Sequence, residues 1–178
     1  MRVVSSSPTL LLVLFAVAAA AAAAMAADER AEVGPPYAVG DTLAEIRLED
    51  QHEEERAVDA STRLVLFSRD MDGGELLRDA LEDTEEGFLE ARNAVYLSDI
   101  SGMPKLVARL FALPSMRRRP YPMLLDRTGE ATARIPDVEE KATLLFLDEL
   151  RIERIEHVES VDAVRMLLGL EASAEDDG

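Results

Sequence analysis

Sulfur chemistry based on cysteine is missing from this sequence, because its 178 residues contain no cysteine. The absence excludes disulfide bonds, catalysis by a thiolate and metal sites held by cysteine. Tryptophan is also absent, and only 4% of the residues are aromatic, which leaves little to build a stacking surface for bases. Positive charge is scarce, since 19 basic residues face 36 acidic ones and the net charge is −17. We therefore expect no nucleic acid and no anionic membrane surface among the partners of the folded chain.

The first apolar run of the chain is typical of a secretory signal peptide. Arg2 supplies a small positive region, Leu10 to Ala24 form an apolar stretch, and Ala24-Met25-Ala26 matches the small-x-small pattern of a cleavage site. An uncleaved membrane anchor is the alternative, but the run is near the lower length limit for a span and is half alanine. We expect a periplasmic or secreted mature chain that begins at Ala27 and has no membrane segment after cleavage.

Four segments follow from composition and periodicity. The chain is long enough for one domain with a core, and 48% of its residues are hydrophobic. We predict a signal peptide over residues 1–26, an extended lead-in rich in proline and glycine over 27–38, a folded domain over 39–170, and an acidic tail over 171–178.

The centre of the folded domain is a strand followed by a tight turn and a helix. Arg63 to Phe67 are mostly apolar and bounded by polar groups, which predicts a short strand buried on both faces. Gly73 and Gly74 break the run, and Glu75 to Leu81 place apolar residues at helical spacing, fading near Gly87. This order places a chemical site at the carboxyl edge of a sheet.

The remaining patterns predict the other elements of the domain. A first strand over 43–48 and a short return strand at 57–58 come before the central strand, and a short helical piece follows at 88–91. A strand at 94–98 completes a parallel β-α-β unit. A helix with an apolar stripe begins at Pro104 and ends at Pro114. A strand at 121–125 follows, with a weaker continuation at 131–135, and then an antiparallel hairpin of 143–147 with 151–158. A terminal helix is capped by Ser160 and closed by Gly169. The stripe of the second helix comprises Leu106, Val107, Leu110 and Phe111. The fold class is α/β, with three layers around a mixed central sheet.

This order of elements and several short motifs resemble the thioredoxin fold in its peroxiredoxin-like form. The motifs that carry the resemblance are the opening strand from Val39-Gly40-Asp41 to Ile46–Gln51, the central strand Arg63–Phe67, and the paired segments Tyr121–Glu130 and Leu144–Asp148. The likeness covers roughly residues 39–168. It is nearest to the cysteine-lacking periplasmic YtfJ-like group. The resemblance implies a three-layer α/β/α domain with a mixed central sheet.

The chain departs from that pattern at the position that carries activity. Active members of the group place a nucleophilic cysteine at the N-terminus of the first central helix, where backbone N–H groups lower its pKa. Here Asp72 holds the first-cysteine position, within Asp72-Gly73-Gly74-Glu75. A carboxylate cannot exchange disulfides, so we predict neither a thiol–disulfide oxidoreductase nor a cysteine peroxidase. The cis-proline of active members also has no clear counterpart, since Lys141 or Ala142 stands near its place.

The same segment resembles the first motif of the haloacid-dehalogenase phosphatases. In that motif one aspartate attacks phosphorus, a second handles the leaving-group proton, and Mg²⁺ offsets the charge, which would make Asp70 and Asp72 the reacting pair. The threonine that normally follows the glycine is Gly74 here. The remaining roles would fall to Ser98, Lys105, and Asp126 or Asp148. A magnesium-dependent phosphatase is therefore the alternative function.

Simpler readings account for most of these polar residues. Asp70, Asp72 and Glu75 echo part of a calcium loop, yet its third acidic position and its final glutamate are missing. Solvated carboxylates, with Asp72 as a helix cap and Glu75 in the first turn, explain them without a ligand. We predict no metal and no cofactor.

The one basic cluster in the sequence is Arg117-Arg118-Arg119. It could contact an anion or an acidic partner, although a surface loop paired with nearby acids is the favoured reading. His52 and His157 lack a catalytic context and are read as surface residues. We predict an exported, non-catalytic binding or accessory module for an unidentified protein or small molecule. Its working edge contains Asp70, Asp72, Gly73, Gly74, Glu75 and the arginine cluster.

Overall fold

The central strand β3 (Leu64–Ser68) is buried at every residue, as its apolar sequence predicts. In the computed structural model, which describes residues 33–170, it lies in the middle of a five-stranded sheet of order β5–β4–β3–β6–β7. β3 pairs in parallel with β4 and antiparallel with β6. The predicted signal peptide and acidic tail lie outside the described residues.

The other elements follow in the order that the sequence predicts. The strands are β1 (Ile46–Glu49), β2 (Glu55–Val58), β4 (Ala94–Asp99), β5 (Met123–Asp126), β6 (Ala142–Asp148) and β7 (Arg151–Val158). The helices are α1 (Met71–Ala80), α2 (Lys105–Val107), α3 (Leu113–Met116) and α4 (Val161–Leu167), with a 3₁₀ turn at Glu90–Arg92. A π-helical stretch, Ala108–Ala112, joins α2 to α3. The α/β class with a mixed sheet is therefore confirmed.

Two apolar clusters hold the sheet, one on each face. On one face, Leu77 and Ala80 of α1 and Val164 of α4 pack against alternate residues of the strands, including Leu66 and Tyr96. On the other face, the core is completed by the β1–β2 hairpin and by irregular segments, which contribute Tyr37, Leu43, Ile46, Val58 and Ile135. The strand alternation assigns each residue to its face. Both layers thus cover the sheet, but only the first is built from helices.

Gln51 fastens the β1–β2 hairpin to the edge of the main sheet. Its side-chain amide donates to the carbonyl of Tyr121 at 2.9 Å, and its carbonyl oxygen accepts from the backbone N–H of Met123 at 2.8 Å. Asp50, fully buried beside it, accepts from the backbone of His52 and Glu54 and from Arg56. Burial raises the pKa of the Asp50 carboxyl, but these hydrogen bonds hold it below its ordinary value.

The helical segment 105–116 differs from the sequence prediction. The predicted stripe of Leu106, Val107, Leu110 and Phe111 is exposed, with Phe111 70% accessible. Leu113 and Met116, after the π-helical stretch, contact the core instead. The prediction assumed 3.6 residues per turn, whereas the π-helical turn changes the phase of the helix. Pro114 does not end the helix, because it lies in the first turn of α3, where its missing N–H costs nothing.

Smaller corrections concern the other elements. The predicted continuation at 131–135 is a series of turns and bends rather than a strand. The helix α1 ends at Ala80, well before Gly87, and turns follow it. No helix within residues 33–170 combines the length and apolarity needed to cross a bilayer.

The turn after β5 is organised by a buried carboxylate. Asp126 accepts five hydrogen bonds, from the backbone and hydroxyl of Thr128, the backbone of Gly129, and the backbone and hydroxyl of Thr132. Gly129 has φ +76°, and an added Cβ would lie 2.7 Å from the hydroxyl of Ser101, so only glycine fits there. Burial raises the pKa of Asp126, but the bonds to Thr128, Thr132 and Gly129 bring it below its ordinary value.

We predict that Asp126→Asn lowers the free energy of unfolding by about 2 kcal/mol at neutral pH, because an amide cannot accept all five bonds. The lowered pKa means that the carboxylate stabilises the fold above its unfolded pKa of about 4, and that this stabilisation is lost as pH falls through the lower folded value. Urea unfolding measured from neutral to acidic pH should therefore show a weaker acid dependence in Asp126→Asn.

The matched control is Asp148→Asn, because Asp148 is exposed and forms a salt bridge with Arg63 at the surface. Its effect should stay within about 0.5 kcal/mol. Equal losses of stability on acidification in the wild type and in Asp126→Asn would contradict the assignment.

Candidate functional site

The helix α1 begins directly after β3, so its N-terminus lies at the carboxyl edge of the sheet. Asp70 caps it, with one carboxylate oxygen accepting from the backbone N–H of Gly73 at 2.7 Å. Its second oxygen accepts from the backbone N–H of Glu140 at 2.8 Å. The prediction that Asp72 is the cap is wrong, because the cap is Asp70 and the helix starts two residues earlier than predicted, at Met71. Asp72 is exposed in the first turn, and Glu75 pairs with Arg78 at 3.4 Å.

Gly73 is where the helix meets the segment that leads into β6. A Cβ on Gly73 would lie 2.5 Å from the carbonyl oxygen of Lys141, a distance that real side chains do not adopt. Lys141 and Ala142 were predicted to stand near the place of the cis-proline in active relatives, and the segment does adjoin the start of α1. No peptide bond of the described chain is cis. The neighbouring Gly74 has room, since its Cβ would meet only the hydroxyl of Ser68 at 3.7 Å.

A groove of about 630 Å³ opens between the first half of α1 and the helical segment 105–116. Volumes of roughly 300–1,000 Å³ are typical of small-molecule sites. Its floor is formed by Tyr96, Tyr121 and Met123, and Ser68 and Ser98 lie at the ends of β3 and β4 beside it. The groove therefore occupies the carboxyl edge of the parallel strands, as the sequence predicts for a site.

The two floor tyrosines are packed against each other. The rings of Tyr96 and Tyr121 stack with centroids 6.0 Å apart and an interplanar angle of 24°. The Tyr96 hydroxyl donates to the carbonyl of Gly74 at 3.4 Å, which fastens the floor to α1. Burial raises the pKa of both phenols, while the positive charges of Arg119 and Arg78 act in the opposite direction. Both hydroxyls therefore stay protonated at neutral pH.

One end of the groove is closed by a paired polar network. Arg69 donates to Asp99 at 3.2 Å and to the carbonyl of Thr132 at 2.8 Å, and it lies 3.7 Å from Asp137. Burial raises the pKa of the Asp137 carboxyl. The positive charge of Arg69 lowers this pKa, and the negative charge of Asp70 raises it further. One oxygen of Asp137 is buried without a hydrogen-bond partner in the described chain. The network positions loops, and Arg69 uses two of its five N–H donors in hydrogen bonds within it.

The arginine cluster divides into three separate roles. Arg117 donates to the carbonyl of Gln51 at 2.8 Å and pairs with Glu53 at 3.3 Å, which joins the helical segment to the β1–β2 turn. Arg118 is exposed and donates to the carbonyl of Pro114 at 3.1 Å. Arg119 is half-buried and lines the groove. Only the last of the three faces the candidate site.

Of the residues named for the phosphatase alternative, the structure brings only Asp70 and Ser98 to the groove. Both oxygens of Asp70 are occupied by backbone N–H groups, and Asp126 is bonded within its own turn. Asp148 ends β6, which runs antiparallel to β3, so it lies at the opposite edge of the sheet from Asp70. Within residues 33–170 no group of three or more potential metal ligands is present.

The two histidines lie apart from the groove lining. His157 is exposed on β7 and shares a 3.0 Å hydrogen bond with the hydroxyl of Thr143, and His52 is exposed in the β1–β2 turn. Neither lies among the groove residues.

Sequence reasoning missed the floor and wall of the groove. Tyr96 and Tyr121 enter the sequence prediction only as parts of the predicted strands at 94–98 and 121–125. The register pairs Tyr96 with Met123, which places both on one face. That pairing joins segments far apart in sequence, so no local pattern reports it.

Comparison with known proteins identifies the fold. The chain matches no protein-family model, and a search of curated proteins finds no match. Among solved structures, peroxidoxin BcpB from Mycobacterium tuberculosis superposes with a TM-score of 0.51 and 24% identity, over 74% of this chain and 94% of that one. A peroxiredoxin-like protein from Aquifex aeolicus gives 0.50 and 14%, over 77% and 89%.

A putative protein disulfide isomerase from Bacteroides thetaiotaomicron gives a TM-score of 0.50 at 12% identity, over 74% of this chain and 86% of that one. At these identities the likeness shows the fold alone. The chain has a thioredoxin-like fold and contains no cysteine.

We predict opposite effects for the two adjacent glycines of α1. Gly74→Ala should raise the free energy of unfolding by roughly 0.5–1 kcal/mol, because alanine favours a helix and its Cβ has space. Gly73→Ala should lower it by about 1–3 kcal/mol, because the Cβ would push the helix from the Lys141 carbonyl. Urea unfolding of the two variants checks this, and a Gly73→Ala variant as stable as the wild type would contradict the close approach.

Proposed function

We propose that the protein is an exported, non-catalytic binding module that holds its ligand in the groove between α1 and the helical segment 105–116. The observation that carries the proposal is the groove itself, an open apolar site of about 630 Å³ at the start of α1. In a chain without cysteine, this position has no group for thiol chemistry. The groove at this position supports a role in binding and not in catalysis.

Exposed apolar side chains around the groove support a binding role. Met71 at the start of α1 is 74% accessible, and Val107 on the opposite wall is also exposed. Leu106, Leu110 and Phe111 extend the apolar surface along the helical segment. Exposed apolar surface of this kind is typical of sites where a ligand or partner binds.

The polar residues at the site are engaged in holding the structure. Asp70 bridges two backbone segments, and Asp99 accepts from Arg69, Thr132 and the backbone of Ser101. Ser98 lies 3.4 Å from Ser68, and neither has a histidine as its hydrogen-bond partner. A nucleophile needs an adjacent base to be activated. This supports a module that binds without turning over a substrate.

The export part of the proposal rests on the N-terminal sequence. The positive Arg2, the apolar stretch 10–24 and the small residues Ala24 and Ala26 are those of a cleaved secretory signal. The YtfJ-like resemblance, a cysteine-free periplasmic group, is in keeping with this location.

We predict that a neutral apolar dye such as Nile red binds the whole chain and that Ser115→Trp weakens this binding at least about tenfold, or ~1.4 kcal/mol. Ser115 lines the groove, so an indole there would fill it. Dye fluorescence titration measures the affinity. The control is Ala91→Trp, at an exposed position that does not line the groove.

Equal dye affinity in the wild type and in Ser115→Trp would argue against the groove as the binding site. The same preparations should reduce insulin disulfides and hydrogen peroxide no faster than buffer alone. Confirmed turnover of either substrate would overturn the non-catalytic assignment.

For export, we predict that the chain expressed in a bacterium with a periplasm is recovered there with Ala27 as its first residue. Ala26→Arg should block cleavage, because a small residue is required before the cut, whereas Met25→Gln at the variable middle position should not. N-terminal sequencing of fractionated cells checks this, and a mature protein that retains Met1 would refute it.

A further inference from the structure

One charged side chain that lines the groove, that of Arg119, has no oppositely charged partner within residues 33–170. Six charged residues line it, and five are paired: Arg69 with Asp99, Arg78 with Glu75 and Asp79, and Asp70 with two backbone N–H groups. The sixth, Arg119, is half-buried and has neither a side-chain hydrogen bond nor an ion pair within residues 33–170. The guanidinium of Arg119 therefore has N–H donors available for an anion in the groove.

The surroundings of Arg119 carry the same sign of charge. The stretch from Pro104 to Pro120 contains five basic residues and no acidic one, although acids outnumber bases nearly two to one in the whole chain. Arg119 and Arg78 both act on the buried phenols of Tyr96 and Tyr121. Arg119 thus belongs to a basic stretch of the chain, and the apolar side chains beside it in the groove strengthen its attraction for an anion.

The apolar lining is unusually rich in methionine. Met71, Met103, Met116 and Met123 all line the groove, out of seven methionines in the sequence. Methionine side chains are unbranched and adapt their shape to a ligand. A lining of this kind suits a flexible aliphatic chain, which can take several paths through the groove, better than a rigid ring system.

We propose that the groove binds an aliphatic carboxylate, with the carboxylate at Arg119 and the hydrocarbon chain along the methionines and the stacked tyrosines. This inference rests on the groove being a binding site and adds the chemical class of its ligand. The guanidinium matches a carboxylate through two parallel N–H···O bonds. The overall charge of −17 disfavours polyanions more strongly than a single carboxylate, whose one charge the guanidinium can offset.

Calorimetric titration of the whole chain with dodecanoate and with dodecanol, below the concentrations at which either aggregates, tests the proposal. The two probes have the same hydrocarbon chain and differ in the head group, which is a charged carboxylate in dodecanoate and a neutral hydroxyl in dodecanol. We expect dodecanoate to bind at least tenfold more tightly than dodecanol. Arg119→Gln should lower dodecanoate affinity to the level of dodecanol, and Arg119→Lys should retain part of the preference.

The matched control is Arg118→Gln, since Arg118 is adjacent but exposed and bonded to the carbonyl of Pro114. It should keep the full preference. Equal binding of the two probes by the wild type would overturn the ligand class while leaving the groove a neutral binding site. A preference that persists in Arg119→Gln would overturn the role of Arg119. If dodecanoate fails to bind, the inference is wrong even where a neutral dye binds.

Discussion

The carboxylate of Asp70 joins two segments that are 70 residues apart, and the geometry of the site depends on it. One oxygen fixes the first turn of α1 through Gly73, and the other holds the backbone of Glu140 before β6. The lack of a side chain on Gly73 lets the Lys141 carbonyl lie directly against the helix. Because β6 is the antiparallel neighbour of β3, this contact sets the helix on the sheet and so positions one wall of the groove.

This thioredoxin-like scaffold without cysteine has the helix start at the sheet edge and the groove beside it. In this chain, the acids and bases of that region are used in pairs to hold loops, as with Arg69 and Asp99 and the five bonds of Asp126. Pairing buried charges in this way avoids the cost of leaving them uncompensated. What remains unpaired is one arginine beside an apolar lining. The polar groups of the site therefore mostly maintain its shape.

Periodicity and turn residues were sufficient to predict the central strand, the parallel unit and the C-terminal hairpin, because each depends on neighbouring residues. They failed where a distant contact decides the outcome. Asp70 rather than Asp72 caps α1 because its carboxylate also meets Glu140, and the segment 105–116 exposes its regular stripe because a π-helical turn changes the phase. The stacked tyrosines come from β4 and from the segment before β5, so no local pattern could place them together. The position of the candidate edge was predictable, and the groove lining was not.

The π-helical stretch has a consequence for how this protein could diverge. It holds one residue more than an α-helical turn, as the bond from the N–H of Leu113 to the carbonyl of Ala108 shows. Loss of a single codon there would return the segment to ordinary helical phase and rotate everything before it by about 100°. The width and lining of the entrance would then be rebuilt in one genetic step, while the sheet, α1 and the hairpin kept their sequences. Ligand range in such a scaffold can thus evolve by insertion and deletion as well as by substitution.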